Sequence, residues 1–187
     1  MKNVILVHGY NGIPIIFDYF KKELDKKGYN VVIPDLPTRE DITVENCYKI
    51  FENNKEYFNE ETIVIAHSIG NAVFIKYLSQ SKIIINKYIS LAGFARDFYI
   101  EDKEVLTEKV KMYRLTDEEL IIAKNLINKR YSLFSKDDHL VPYEILKEFS
   151  TKLDSKPFSI DGVGHMGRKS GITELPIVID IINNKFD

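Results

Sequence analysis

Cysteine is nearly missing from this sequence of 187 residues: Cys47 stands alone. That excludes an intramolecular disulfide and any metal site built on several thiolates. Cys47 falls among Tyr48, Ile50 and Phe51 in a helical pattern, so it reads as a small core residue, with a catalytic thiol as the alternative. An excess of charge is missing too. A formal net charge of −2 provides no long-range field to draw in nucleic acid or an anionic membrane. The Lys- and Glu-rich segments alternate in sign, as solvated helix faces do. No apolar run is long enough to span a bilayer, and Met1-Lys2-Asn3 leads into a strand pattern without a signal-peptide profile. A cytoplasmic location, with no membrane partner, is the expectation. No repeat, low-complexity tract or linker interrupts the chain, so residues 1–187 are expected to form a single domain. No pair of histidines has metal-ligand spacing with a third ligand nearby, and neither a metal nor a cofactor is expected.

What is present is an alternation. Short apolar runs at 4–7, 31–33, 62–65, 88–92, 131–134 and 156–160 read as strands. Longer amphipathic stretches at 15–27, 43–58, 71–81, 116–128, 142–153 and 175–183 read as helices between them. Gly28 past the first helix, and Thr116 with Glu119 as a capping box, mark helix ends. Strands this short and apolar, separated by helices, predict an α/β three-layer sandwich: a mostly parallel sheet of about six strands, covered by helices on both faces. Ligands in such sheets sit beyond the carboxyl ends of the strands. Chemistry should therefore be sought just after each strand.

After the third strand comes Ala66-His67-Ser68-Ile69-Gly70. A strand that turns this sharply into a helix needs small residues two positions either side of the apex, and it leaves Ser68 strained and exposed beside a backbone N–H. The alternative is a serine that merely caps the helix. After the first strand comes His8-Gly9-Tyr10-Asn11-Gly12, which lacks the spacing of a nucleotide-binding loop and is suited to turning an N–H towards Ser68. Pro34-Asp35-Leu36-Pro37 reads as a rigid turn, with Asp35 a turn-former. Asp137 and Asp138 follow the fifth strand, and His165 lies between Gly164 and Gly167 after the sixth. Serine, then aspartate, then histidine, each at a strand end, is the order of a Ser-Asp-His nucleophilic site on this type of sheet.

A serine hydroxyl attacks only when a base takes its proton, and His165 is the candidate base. The carboxylate would hold the imidazole tautomer. The backbone N–H groups of Ile69 and Tyr10 are the candidate oxyanion hole. His8 would shape that loop, His67 would point away from the nucleophile, and His139 would be exposed.

With these motifs the chain resembles the retinoblastoma-binding serine hydrolases and their bacterial esterase-like members, within the α/β-hydrolase superfamily. The likeness runs from His8-Gly9-Tyr10-Asn11-Gly12 through the elbow at Ser68, Asp138-His139-Leu140-Val141-Pro142 and Gly164-His165 to Leu175-Pro176. It implies Ser68, Asp138 and His165 as a catalytic triad, and a trimmed hydrolase sheet with no lid domain. Two departures stand out: Ala66 where many members have glycine, and no tryptophan anywhere. Larger hydrolases insert a lid after the fourth strand. The segment here is short, so a shallow, open pocket is expected, with Phe94, Phe98, Tyr99 and Met166 as candidate lining and the core as their alternative place. Arg96 would form a surface ion pair or bind an acidic group. The implied activity is cleavage of small acyl esters or thioesters through a seryl intermediate, with a small-molecule acyl substrate. An amidase or peptidase using the same residues, and a non-catalytic binding protein, are the alternatives.

Overall fold

The computed structural model describes residues 2–101 and 103–186. Six strands form one sheet: β1 (Asn3–Val7), β2 (Asn30–Val32), β3 (Ile63–His67), β4 (Ile85–Leu91), β5 (Ile127–Phe134) and β6 (Lys156–Ser159). Their order is β2-β1-β3-β4-β5-β6, and every neighbouring pair is parallel. The helices are α1 (Ile16–Asp25), α2 (Val44–Asn53), α3 (Ile69–Ser81), α4 (Glu104–Met112), α5 (Asp117–Leu126), α6 (Tyr143–Lys152) and α7 (Pro176–Ile182).

Right-handed crossovers decide the layers. The step from β1 to β2 runs one way along the sheet and all later steps run the other way, so α1 lies on the opposite face from α2 and α3. Contacts agree: α1 packs on α7, whereas α3 packs on both α2 and α5. The direction reverses between β1 and β3. That switch point opens a crevice at the ends of β1 and β3, where a ligand fits.

All five residues of β1 and of β3 are buried, as strands covered on both faces should be. Helix α3 is apolar around most of its circumference, and its buried residues include Ile69, Ala72, Val73, Phe74, Ile75, Tyr77 and Leu78. Phe51, Phe58, Phe74, Tyr77 and Tyr88 form a connected aromatic cluster around it.

Among the elements that differ from the sequence expectation are α2, α5 and α4. Helix α2 stops at Asn53, and residues 55–57 form a separate 3₁₀ turn, because the Asn54 side chain donates to the Ile50 carbonyl and closes the helix. Helix α5 ends at Leu126, and β5 begins at once with Ile127. Helix α4 was not expected at all. Its inward side is only Thr107 and Val110, too narrow a stripe to stand out in a charged stretch.

Candidate active site

The turn from β3 into α3 places Ser68 at φ 55°, ψ −129°, a backbone region that costs about 1–3 kcal/mol for a non-glycine residue. The surroundings hold it there. The Ser68 N–H donates to the Leu91 carbonyl at 2.9 Å. The amide of the fully buried Asn71 donates to the Ser68 carbonyl at 2.9 Å and to the Leu91 carbonyl at 3.2 Å. Its oxygen accepts from the Tyr88 hydroxyl at 2.7 Å. Gly70 is required by space: a Cβ there would lie 2.5 Å from the His8 carbonyl oxygen and 2.9 Å from that of Val7. Ala66 has no such conflict. It is fully buried in β3 and is absent from the residues with positive φ, so the turn does not demand glycine at this position.

Ser68, His165 and Asp138 come together. Ser68 Oγ lies 2.9 Å from His165 Nε2, and His165 Nδ1 lies 2.8 Å from Asp138 Oδ2. The other carboxylate oxygen accepts the N–H groups of Leu140 at 2.8 Å and Val141 at 2.9 Å. Burial pushes the Asp138 carboxyl up. The His165 hydrogen bond and charge, with the Val141 and Leu140 amides, outweigh it and hold the group below the ordinary carboxylate range. An ionised Asp138 only accepts, so Nδ1 carries the proton and Nε2 offers a lone pair to the Ser68 hydroxyl. Asp137 is exposed and faces away: it binds the Ser135 hydroxyl and the Gly162 N–H, and the Ser135 bond comes first in lowering its pKa.

The first loop is fixed by its own backbone. Gly12 N–H donates to the Gly9 carbonyl at 3.1 Å, and Arg39 N–H to the Tyr10 carbonyl at 2.8 Å. The buried His8 lies with Nδ1 2.9 Å from the Gly9 carbonyl oxygen, so His8 does shape this loop. Among the described residues, no hydrogen bond uses the N–H of Tyr10 or of Ile69.

Ser68 opens into a cleft of about 540 Å³. Its walls correct two expectations. Lys103 and the first turn of α4 (residues 104–106) form one wall, so the cleft is partly covered and not shallow and open. Helix α4 is tied across it by the Lys109 ammonium, which donates to the Glu40 carbonyl at 2.6 Å, and by the Tyr113 hydroxyl, which donates to the Ile42 carbonyl. Phe94 and Met166 are not lining residues; they are 1% and 0% exposed, inside the core. Phe98 packs edge-on against Phe94, with ring centroids 5.1 Å apart, and Tyr99 is exposed away from the cleft. The remaining lining comes from Tyr10, Glu40, His139, Leu140 and Arg168, among others. No periodicity signals such residues, because they come from four separate segments of the chain.

The other candidates resolve simply. Arg96 pairs with Glu148 at 2.6 Å on the surface. Burial pushes the Cys47 thiol up to about 12, which removes it as a nucleophile. His139 is exposed at the cleft, its ring centroid 6.3 Å from that of His165. His67 departs from expectation. It lines the cleft, and its Nε2 lies 2.8 Å from the His165 carbonyl oxygen.

Among the described residues, no helix is long and apolar enough to cross a membrane. Residues 4–184 match the profile of a family described as serine hydrolase. The Bacillus subtilis (strain 168) protein YdeN, provisionally named a hydrolase, is 26% identical over 189 residues, covering 99% of this chain and 96% of its own. The crystal structure of the B. subtilis ydeN gene product superposes with a TM-score of 0.88 at 23% identity, covering 100% of this chain and 99% of that one. A structure from work on carboxylesterases of the thaumarchaeon Nitrososphaera gargenis has a TM-score of 0.72 at 16% identity, covering 98% of this chain and 89% of that one.

Proposed function

The chain belongs to the serine hydrolase family and has the α/β-hydrolase fold, and on that premise we propose that it cleaves small acyl esters or thioesters through a seryl acyl-enzyme. The observation that carries this reading is the relay of 2.9 Å and 2.8 Å from Ser68 through His165 to Asp138, set at the floor of the cleft.

Ser68 Oγ attacks the acyl carbon as Nε2 of His165 takes its proton, and Asp138 stabilises the imidazolium. The oxyanion is met by the N–H groups of Ile69 and Tyr10, which have no other acceptor among the described residues; one such donor is worth on the order of 10²–10³ in rate. The carbon–oxygen or carbon–sulfur bond then breaks, and the leaving group takes the proton back from Nε2. Water, deprotonated by the same nitrogen, releases the acid and restores Ser68.

Short acyl groups are favoured over long ones by the size of the cleft, whose volume of about 540 Å³ lies in the lower half of the range for small-molecule sites. The carboxylesterase of N. gargenis, with the same fold, gives a precedent for ester chemistry on this sheet. The test is kcat/KM across acetyl, butyryl, octanoyl and palmitoyl esters and thioesters, with matched anilides. Short esters or thioesters should lead, palmitoyl should trail, and anilides should be slower still. Preference for anilides would move the assignment to amide hydrolysis, and a steady climb to the palmitoyl ester would contradict a small acyl site.

A further inference from the structure

We propose that His67 is a positioning residue for this reaction, clamping the loop that carries His165 by donating its Nε2–H to the His165 carbonyl. This rests on the reading of His165 as the base.

The loop needs a clamp. His165 sits in irregular backbone, with Gly164 before it at φ 51° and Met166 after it at φ 55°. The Met166 N–H closes a turn onto the Val163 carbonyl at 3.0 Å, yet among the described residues no backbone N–H reaches the His165 carbonyl. His67 supplies its donor, at 2.8 Å. Because His67 is the last residue of β3, the rigid centre of the sheet fixes the base as well as the nucleophile that follows it. The ring runs between the two loops that build the site. A Cβ at Gly9 would lie 3.5 Å from its Nδ1, and one at Gly167 would lie 3.6 Å from its Cε1.

The tautomer follows from the partner. A carbonyl only accepts, so Nε2 carries the proton and Nδ1 is a bare lone pair. Among the described residues, Nδ1 is buried without a hydrogen-bond partner. An apolar side chain of similar size would fill this space without that desolvation cost. What it would not supply is the donor.

Charge matters as well. The titratable groups around His67 are His165, Asp138 and His8. Burial comes first, and His165 second, in lowering the His67 pKa to about 3. His67 therefore stays neutral, and His165 takes its proton during turnover without a second cation at a ring separation of 5.1 Å.

Glutamine and methionine have nearly the same shape, but only glutamine keeps an N–H donor at the end. His67→Met should lower kcat by about 10- to 100-fold, the scale of a misplaced catalytic group, with KM within about threefold. His67→Gln should recover kcat to within about threefold of wild type. Equal turnover in His67→Met and wild type would overturn the proposal, as would equal damage from both substitutions. Independently, ¹⁵N shifts of wild-type His67 should report the neutral Nε2–H tautomer down to about pH 4.5. A ring protonated on Nδ1, or titrating near its ordinary value, would overturn the clamp. A wild-type protein that turns over no ester and is unlabelled at Ser68 would overturn the hydrolase reading itself, and the positioning role with it.

Discussion

Asp138 divides its two oxygens between His165 and its own loop: Oδ2 lies 2.8 Å from His165 Nδ1, while Oδ1 holds the Leu140 and Val141 amides. Its neighbour Asp137 points the other way, to Ser135 and Gly162. Asp138→Asn should therefore cut kcat by up to about 10⁴, since the amide favours the wrong imidazole tautomer. Asp137→Asn should cost under roughly tenfold in kcat. Turnover measured on both variants decides; a reversed pattern moves the acid to Asp137.

Acid sensitivity should trace to His67. Its folded pKa of about 3 lies below the ordinary value of 6.5, so the unfolded chain takes up the proton first. The stabilisation is complete above about pH 6.5 and is lost as pH falls from there towards 3, at up to about 1.4 kcal/mol per pH unit. Urea midpoints at pH 7.5, 6 and 5 should fall more steeply for wild type than for His67→Gln. Parallel declines would show that His67 is not buried neutral.

Gly70→Ala tests the crowding beneath the elbow. Its Cβ cannot sit 2.5 Å from the His8 carbonyl oxygen, so the end of β1 must move and carry the Tyr10 N–H with it. Overpacking of this kind costs about 1–3 kcal/mol, a fall in Tm of roughly 3–10 °C for a chain of this length, and kcat should drop more than about tenfold. Ala66→Gly, where no positive φ is involved, should leave kcat within about threefold. Thermal melts and turnover of the two variants provide the comparison.

Residues whose chemistry is local were legible in the sequence. Ser68 announced itself because small residues flank a strand–helix turn, and His165 because glycines bracket it at a strand end. The parallel character of the sheet followed from its short apolar runs. The cleft lining was not legible. Phe94 and Met166 look like pocket residues by composition, but both are buried in the core, at 1% and 0% exposure. Helix α4 hid in a charged stretch because it buries so little of itself. His67 was misread for a different reason. Alternation along a strand gives the face of a side chain, but it cannot say that a loop some hundred residues later will fold back over that face; the bond to His165 spans 98 positions.

The most direct measurement is intact-mass and peptide mapping after exposure to a fluorophosphonate probe, on wild type and Ser68→Ala. One adduct per chain is expected, mapped to Ser68 and absent from the variant, with ester turnover in that variant lower by roughly 10⁶. An unlabelled wild type, or a Ser68→Ala protein that hydrolyses esters at the wild-type rate, would contradict the seryl mechanism.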